Sequence, residues 1–273
     1  MKHKHRKPHQ KKISPGHRFT PAKGVKIGGT GWFYGVHTVM AALANPQRRC
    51  HRLLITPETR RDAAARLEKL IAKNPSIGAA KETTRADISK LLPEGAVHQG
   101  VALNADPLPE TSLAELCSEA QLAGNGVTVI LDQVSDPHNV GAVLRTAAAF
   151  GALAVIVTER HAPEATATLA KAASGGLEKV PLVRVGNLSR AMKELKDSGF
   201  WCLGLDSQAE QSLAKTPMKG LTALVLGAEG RGLRRLVHES CDLMAHISLE
   251  NGMESLNVSN AAAIALYEHS RRS

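Results

Sequence analysis

The sequence predicts an α/β protein in two parts, a large unit with a parallel sheet covered by helices and a smaller α/β unit ahead of it. Three observations carry this expectation. From Val127 onward short apolar strands alternate with helical patterns, the order that builds a parallel sheet through crossover helices. Runs such as Val127-Thr128-Val129-Ile130-Leu131 and Ala154-Val155-Ile156-Val157 are nearly continuous in apolar, β-branched residues, as strands covered on both faces are. A proline-rich break, Asp106-Pro107-Leu108-Pro109-Glu110, separates this stretch from a shorter alternating one.

Residues 1–27 carry Lys, Arg and three prolines without apolar periodicity and read as a basic tail, disordered when alone. His3, His5 and His9 stand there without a Cys or carboxylate to complete a metal site, so they read as polar filler, and no metal is expected. Gly28-Gly29-Thr30-Gly31 reads as a hinge. The first folded unit, 28–105, opens at Gly31-Trp32-Phe33-Tyr34-Gly35. A helix over Val36–Leu43, a strand over Arg52–Thr56, helices over Ala63–Ala72 and Ile88–Leu92, and a closing strand at Val101–Leu103 follow. Three of the eight aromatic residues sit in Trp32-Phe33-Tyr34; they can stack unpaired bases, but anchoring a small core is the simpler use.

Residues 106–124 form a linker containing a short helix over Leu113–Leu122. Across 125–273, strands are expected at Val127–Leu131, Leu153–Val157, Val180–Val185, Trp201–Leu205, Leu224–Leu226 and His246–Leu249. Helices fit Val140–Phe150, Thr166–Ala173, Leu188–Lys196, Leu233–His238 and Val258–Ser270.

Charge is distributed unevenly over the 273 residues. The net +10 arises because twelve Lys and Arg precede Glu58, the first acidic residue, whereas the remainder sums to −2. Basicity confined to a tail and a first domain suits a polyanionic partner, most simply nucleic acid; a solvated tail is the plainer alternative. Cys50, Cys117, Cys202 and Cys241 lack C-x-x-C spacing and read as reduced thiols. No apolar run reaches the roughly 18 residues a membrane span needs, and no signal-peptide core follows the charged start, so a cytoplasmic protein is expected.

Three segments look like one composed site. Asp132 to Asn139 is a polar loop at a strand's carboxyl end, where open α/β sheets place ligands. Asn139 is expected to cap the following helix, with Arg145 in its second turn, so that both can share an anionic or hydroxyl-bearing ligand. Gly227-Ala228-Glu229-Gly230-Arg231-Gly232 follows a strand and precedes a helix, and its glycines permit close backbone approach. Its order is not the G-x-G-x-x-G dinucleotide fingerprint. Ser255, Asn257, Ser259 and Asn260 open the last helix, more polar residues than a cap requires.

Together these segments resemble the three motifs of the SpoU family, the TrmH-like branch of the SPOUT methyltransferases. The resemblance lies in Asn139-x-Gly141-x-x-x-Arg145, Leu226-Gly227-x-Glu229-Gly230-x-Gly232 and Ser255-Leu256-Asn257-Val258-Ser259, in that order over 127–273. Residues 31–105 resemble the ribosomal-protein-L30e-like RNA-binding domain of the family's RlmB-like type. The resemblance implies a deep trefoil knot, S-adenosylmethionine as methyl donor, and a homodimer through the C-terminal domain. It further implies that Leu226, Gly227, Gly230, Ile247, Leu256 and Asn257 bind the cofactor and that Asn139, Arg145, Glu229, Ser255 and Asn257 form the catalytic set. Ser248 stands where members often carry proline, and Asn260 where they carry a small apolar residue.

The implied activity is methylation of a ribose 2′-hydroxyl, most simply of a guanosine in large-subunit rRNA, with tRNA as the nearest alternative. Family accounts give Arg145 the proton-removal step; a guanidinium that stays protonated is better suited to holding a phosphate and a developing alkoxide. Glu229 is expected to orient Arg145 or a loop amide, and Ser255 and Asn257 to contact ribose or cofactor. Two other classes compete: a non-catalytic RNA-binding assembly factor, and a dinucleotide-dependent enzyme whose fingerprint is missing.

Overall fold

The computed structural model describes residues 31–77 and 79–272. The basic tail 1–27, its histidines and most of the glycine hinge lie outside the described residues.

The smaller sheet has the order β1-β4-β2-β3. It is built from β1 (Gly31–Tyr34), β2 (Cys50–Ile55), β3 (Lys81–Glu82) and β4 (Val101–Ala105), with β4 antiparallel to β1 and β2. Helices α1 (Val36–Ala44), α2 (Pro57–Ala72) and α3 (Arg85–Ser89) connect these strands. Phe33 and Tyr34 are buried, while Trp32 packs beside Leu54, Ile88 and Ala102, so the aromatic trio serves the core. Helix α2 starts six residues earlier than its apolar pattern predicts. Thr56 accepts a hydrogen bond from the Thr59 amide and Pro57 occupies the first turn, a start set by capping rather than by hydrophobic spacing.

Helix α4 (Leu113–Ala123) leads into the larger sheet, which is parallel throughout, in the order β7-β6-β5-β10-β8-β11-β9. Its strands are β5 (Gly126–Asp132), β6 (Ala154–Thr158), β7 (Leu182–Val185), β8 (Trp201–Leu205), β9 (Gln211–Ser212), β10 (Leu221–Gly227) and β11 (Leu243–His246). Helices α5 (Pro137–Ala149), α6 (Ala167–Ala173), α7 (Leu188–Asp197), α8 (Arg235–Glu239) and α9 (Val258–Ser270) cover it. Side chains alternate along each strand, so Val129, Leu131, Leu224 and Leu226 pack toward α5 and α9, while Ile130, Ala223 and Val225 pack toward α4 and α7.

One expectation about this sheet is corrected. The strand expected at His246–Leu249 runs over Leu243–His246, because Leu243, Met244 and Ala245 pair with Leu203, Gly204 and Leu205. The Met244 sulfur takes the space above Gly204, where a Cβ would come within 2.4 Å of it. The two-residue strands β3 and β9 are too short to leave a periodicity. No helix among the described residues is long and apolar enough to cross a membrane.

The two sheets share one continuous apolar core, which runs from Val39, Leu43 and Leu103 to Leu144, Leu169 and Ala173. At its edge Arg48 forms a buried ion pair with Glu178, with side chains 1% and 5% exposed. Arg48 also donates to the Asp106 carbonyl oxygen (2.8 Å) and lies 4.6 Å above the Phe33 ring centre.

Candidate active site

The site lies at the carboxyl ends of β5 and β10, where parallel strands expose backbone groups and loops gather. Helix α5 begins at Pro137, and Asp136 caps it by accepting from the His138 amide at 2.9 Å. Asn139 is therefore not the cap expected from sequence. It stands in the first turn, which frees its amide to face across the crevice, and Arg145 falls in the third turn rather than the second.

Position α5 depends on two glycines that admit no side chain. A Cβ on Gly141 would lie 2.5 Å from Ala172 Cβ, so α6 packs directly on the α5 backbone. A Cβ on Gly176 would lie 2.6 Å from the Leu144 carbonyl oxygen and 2.9 Å from Arg145 Cα.

The glycine loop after β10 folds back on itself. Ala228 and Gly232 form an antiparallel bridge, and the Gly232 amide donates to the Ala228 carbonyl at 2.9 Å. This closure leaves only 2.1 Å between a Cβ on Gly227 and the Gly232 carbonyl carbon. Gly230 and Gly232 hold φ of 74° and 63°, the left-handed region that glycine enters without strain, and the space where their Cβ atoms would lie is open.

The far end of this loop is anchored by a pair that sequence reasoning missed. Asp132, read there as the start of a polar loop, is the last residue of β5 and has no exposed surface. Its carboxylate accepts from Arg234 Nε at 2.8 Å and from the Arg234 backbone amide at 2.9 Å. A signal existed: one carboxylate closing an apolar strand cannot be buried without a cation.

Glu229 Oε1 is a hub. It accepts from Asn257 Nδ2, from Asn139 Nδ2 at 3.4 Å and from the Val258 amide at 3.4 Å. Asn257 Nδ2 also reaches Asn139 Oδ1 at 3.0 Å, while Asn257 Oδ1 caps α9 through the Ser259 amide at 2.9 Å. Residues from all three segments thus meet within one hydrogen-bonded cluster. Arg145 and Ser255 are exposed and hydrogen-bond to none of it, and the Glu229 carboxylate turns to Asn139, Asn257 and Val258 rather than to Arg145.

Leu226 is buried, and Ile247 and Leu256 are half-buried apolar residues. Ser248 lies 3.3 Å from Ser212 Oγ and 3.5 Å from His246 Nε2, a polar tie to β9 and β11. His246 Nδ1 in turn meets the Ala209 carbonyl at 2.8 Å. Burial pushes the Cys202 and Cys241 thiols up to about 12, with the Asp242 carboxylate nearby reinforcing the shift, so neither is a thiolate nucleophile. No cluster of His, Cys, Asp and Glu with metal-binding geometry occurs among the described residues.

Comparison with known proteins agrees with this geometry. The profile of the SpoU rRNA Methylase family matches residues 126–267, and that of RNA 2′-O ribose methyltransferase substrate binding matches 32–111. The chain is 38% identical over 242 residues to the 23S rRNA (guanosine-2′-O-)-methyltransferase RlmB of Escherichia coli, covering 88% of this chain and 97% of that one. It is 36% identical over 239 residues to the RlmB of Photobacterium profundum, covering 88% and 96%. In fold it resembles the SpoU methyltransferase AviRb of Streptomyces viridochromogenes, solved with AdoMet, with a TM-score of 0.72 at 22% identity over 89% of this chain and 90% of that one. With both its sheets and its three motif segments accounted for in this way, the chain belongs to the SpoU rRNA methylase family.

Proposed function

We propose that the protein transfers a methyl group from S-adenosylmethionine to a ribose 2′-hydroxyl of RNA, and that its target is a guanosine of 23S rRNA. The observation that carries the reading is the junction of Asn139, Glu229 and Asn257, one residue from each motif, at the sheet's ligand-binding end. The name of the RlmB relatives supplies the target, and their match extends through the smaller unit as well as the larger.

The crevice fits the cofactor. Ile247 and Leu256 offer half-buried apolar side chains, Leu226 its backbone at the end of β10, Gly230 and Gly232 present backbone with open space beside it, and Asn257 offers a polar edge. When bound, S-adenosylmethionine supplies a methyl on a sulfonium, a leaving group that needs no activation. The protein's task is then alignment of the acceptor oxygen and management of its proton. Arg145, exposed and charged, holds the phosphate beside the target ribose and stabilises the developing alkoxide, while that phosphate or water takes the proton. Ser255, exposed at the mouth, contacts ribose or the cofactor carboxylate. Glu229 keeps α9 and α5 in register through its three donors.

The same reading divides the chain into a tail, 1–27, an RNA-binding unit, 28–105, a linker, 106–124, and a methyltransferase unit, 125–273. It includes the trefoil knot that membership in the family implies. A homodimer is supported by Ile264 and Tyr267, exposed apolar residues one turn apart on α9. The site of action is the cytoplasm, where the RNA is made.

The deciding experiment is transfer of labelled methyl from S-adenosylmethionine into RNA from cells lacking the protein, followed by nucleoside analysis. A 2′-O-methylguanosine in 23S rRNA is expected. Label in tRNA would replace the target, and binding of RNA without cofactor binding would replace the enzyme with an assembly factor.

A further inference from the structure

The turn at Gly175-Gly176-Leu177-Glu178 touches the smaller unit on one side and the Arg145 helix on the other. Gly175, at φ 92°, faces α1, where a Cβ would lie 2.7 Å from Ala41 Cβ. Gly176 faces α5, with its backbone against Leu144 and Arg145. Neither glycine leaves a gap that could absorb movement. The turn is itself stiff, since the Lys179 and Val180 amides both donate to the Gly176 carbonyl at 3.0 and 2.9 Å.

Glu178 closes the joint. Its carboxylate takes Arg48, and Asn45 Nδ2 donates to Oε2 at 2.8 Å and to the Glu178 carbonyl at 3.4 Å, so α1 and the following loop grip one residue. Both members of the ion pair are nearly fully buried, and their geometry is fixed on both sides by further hydrogen bonds.

We infer that Glu178 is a positioning residue for methyl transfer, holding the backbone of α5 at Arg145 in place through the Gly175-Gly176 turn and tying that placement to docking of the RNA-binding unit. This rests on the proposed function for its catalytic part, but its mechanical part does not. Alignment at the acceptor is sensitive to small shifts: a displacement of about 1 Å originating far from the chemistry can cost roughly 100-fold in rate.

Two variants of the full chain test it: Glu178→Gln, and the pair Arg48→Met with Glu178→Met, which replaces the ion pair by apolar volume and keeps the fold if the first variant loses it. Hydrogen exchange is followed at α5 and α9, and kcat and KM are measured on RNA. The expected result is exchange roughly tenfold faster at α5 with α9 unchanged, and kcat lowered by roughly tenfold or more with little change in KM. Unchanged α5 exchange in either folded variant overturns the inference, as does a rise in KM alone, which would make Glu178 only a docking contact. If the unaltered protein methylates no RNA, the functional reading fails while the exchange measurement still decides the joint.

Discussion

The Asn257 amide donates to the Asn139 side-chain oxygen across 3.0 Å, joining the first turn of α5 to the start of α9, 118 residues later. Asn257 does this while also capping α9 and donating to Glu229. Replacement by aspartate separates these duties, because a carboxylate keeps the cap but cannot donate and faces Glu229 with like charge. Asn257→Asp should retain the fold and lose roughly tenfold or more in cofactor affinity, measured by calorimetry. Wild-type affinity would show that the junction does not shape the site.

Gly227→Ala should be more damaging than Gly230→Ala. The first places a methyl group 2.1 Å from the Gly232 carbonyl carbon, which only a backbone shift can relieve. A cost of about 1–3 kcal/mol is expected, with loss of cofactor binding. The second meets open space but sits at φ 74°, for about 1–2 kcal/mol of strain. Thermal unfolding alongside calorimetry separates the two.

Asp132→Asn tests the anchor at the far end of the glycine loop. An amide accepts from only one of the two Arg234 donors and turns its own NH₂ toward the other, so about 1–3 kcal/mol of stability should be lost. Because the partner guanidinium is half-exposed, the lower end of that range is expected. An unchanged melting temperature would make the pair incidental.

Arg145→Lys distinguishes a bidentate phosphate clamp from a bare positive charge. Lysine keeps the charge but not the planar fork, so kcat should fall by roughly tenfold or more, and Arg145→Ala should fall further. Near-normal turnover in the lysine variant would rule out the clamp.

Stability should fall on acidification. Burial holds the pKa of His98 and of His269 below the ordinary imidazole value, and Arg85 lowers His98 further. The His98 ring is committed as neutral, with Nδ1 accepting from the Gly100 amide at 3.1 Å. Below the unfolded value of about 6.5 the unfolded chain binds protons that the fold refuses, so stability drops by up to about 1.4 kcal/mol per pH unit for each ring until the folded value is reached. Well above about 6.5 these rings contribute no slope. Melting temperatures at pH 7.5 and 5.5 check the sign.

Much of this molecule was legible because apolar periodicity is strong where helices cover a sheet on both faces. Strand β8 and helix α9 run over the residues their patterns predict, Trp201–Leu205 and Val258–Ser270. Capping and pairing set the boundaries that were misread. Asp136 rather than Asn139 starts α5, Thr56 starts α2 ahead of its apolar stripe, and pairing with β8 moves β11 upstream. Site segments could be found through their glycines and amides. The need of Asp132 for a cation was legible but its partner Arg234 was not, and the Glu178 joint was not legible at all, since each pair joins residues whose proximity depends on strand order.

Strand β10 lies between β5 and β8 although both are synthesised before it. Until residues 221–227 emerge, β5 has one row of backbone donors and acceptors with no neighbour and β8 has two, because its other partner, β11, is made later still, and such edges recruit other chains. Loop closure over such distances is slow, and a nascent copy spends that interval exposed to aggregation. Asn139 also waits for Glu229 and Asn257, so a ligand that needs this junction cannot stabilise a chain in which residue 257 has yet to be made.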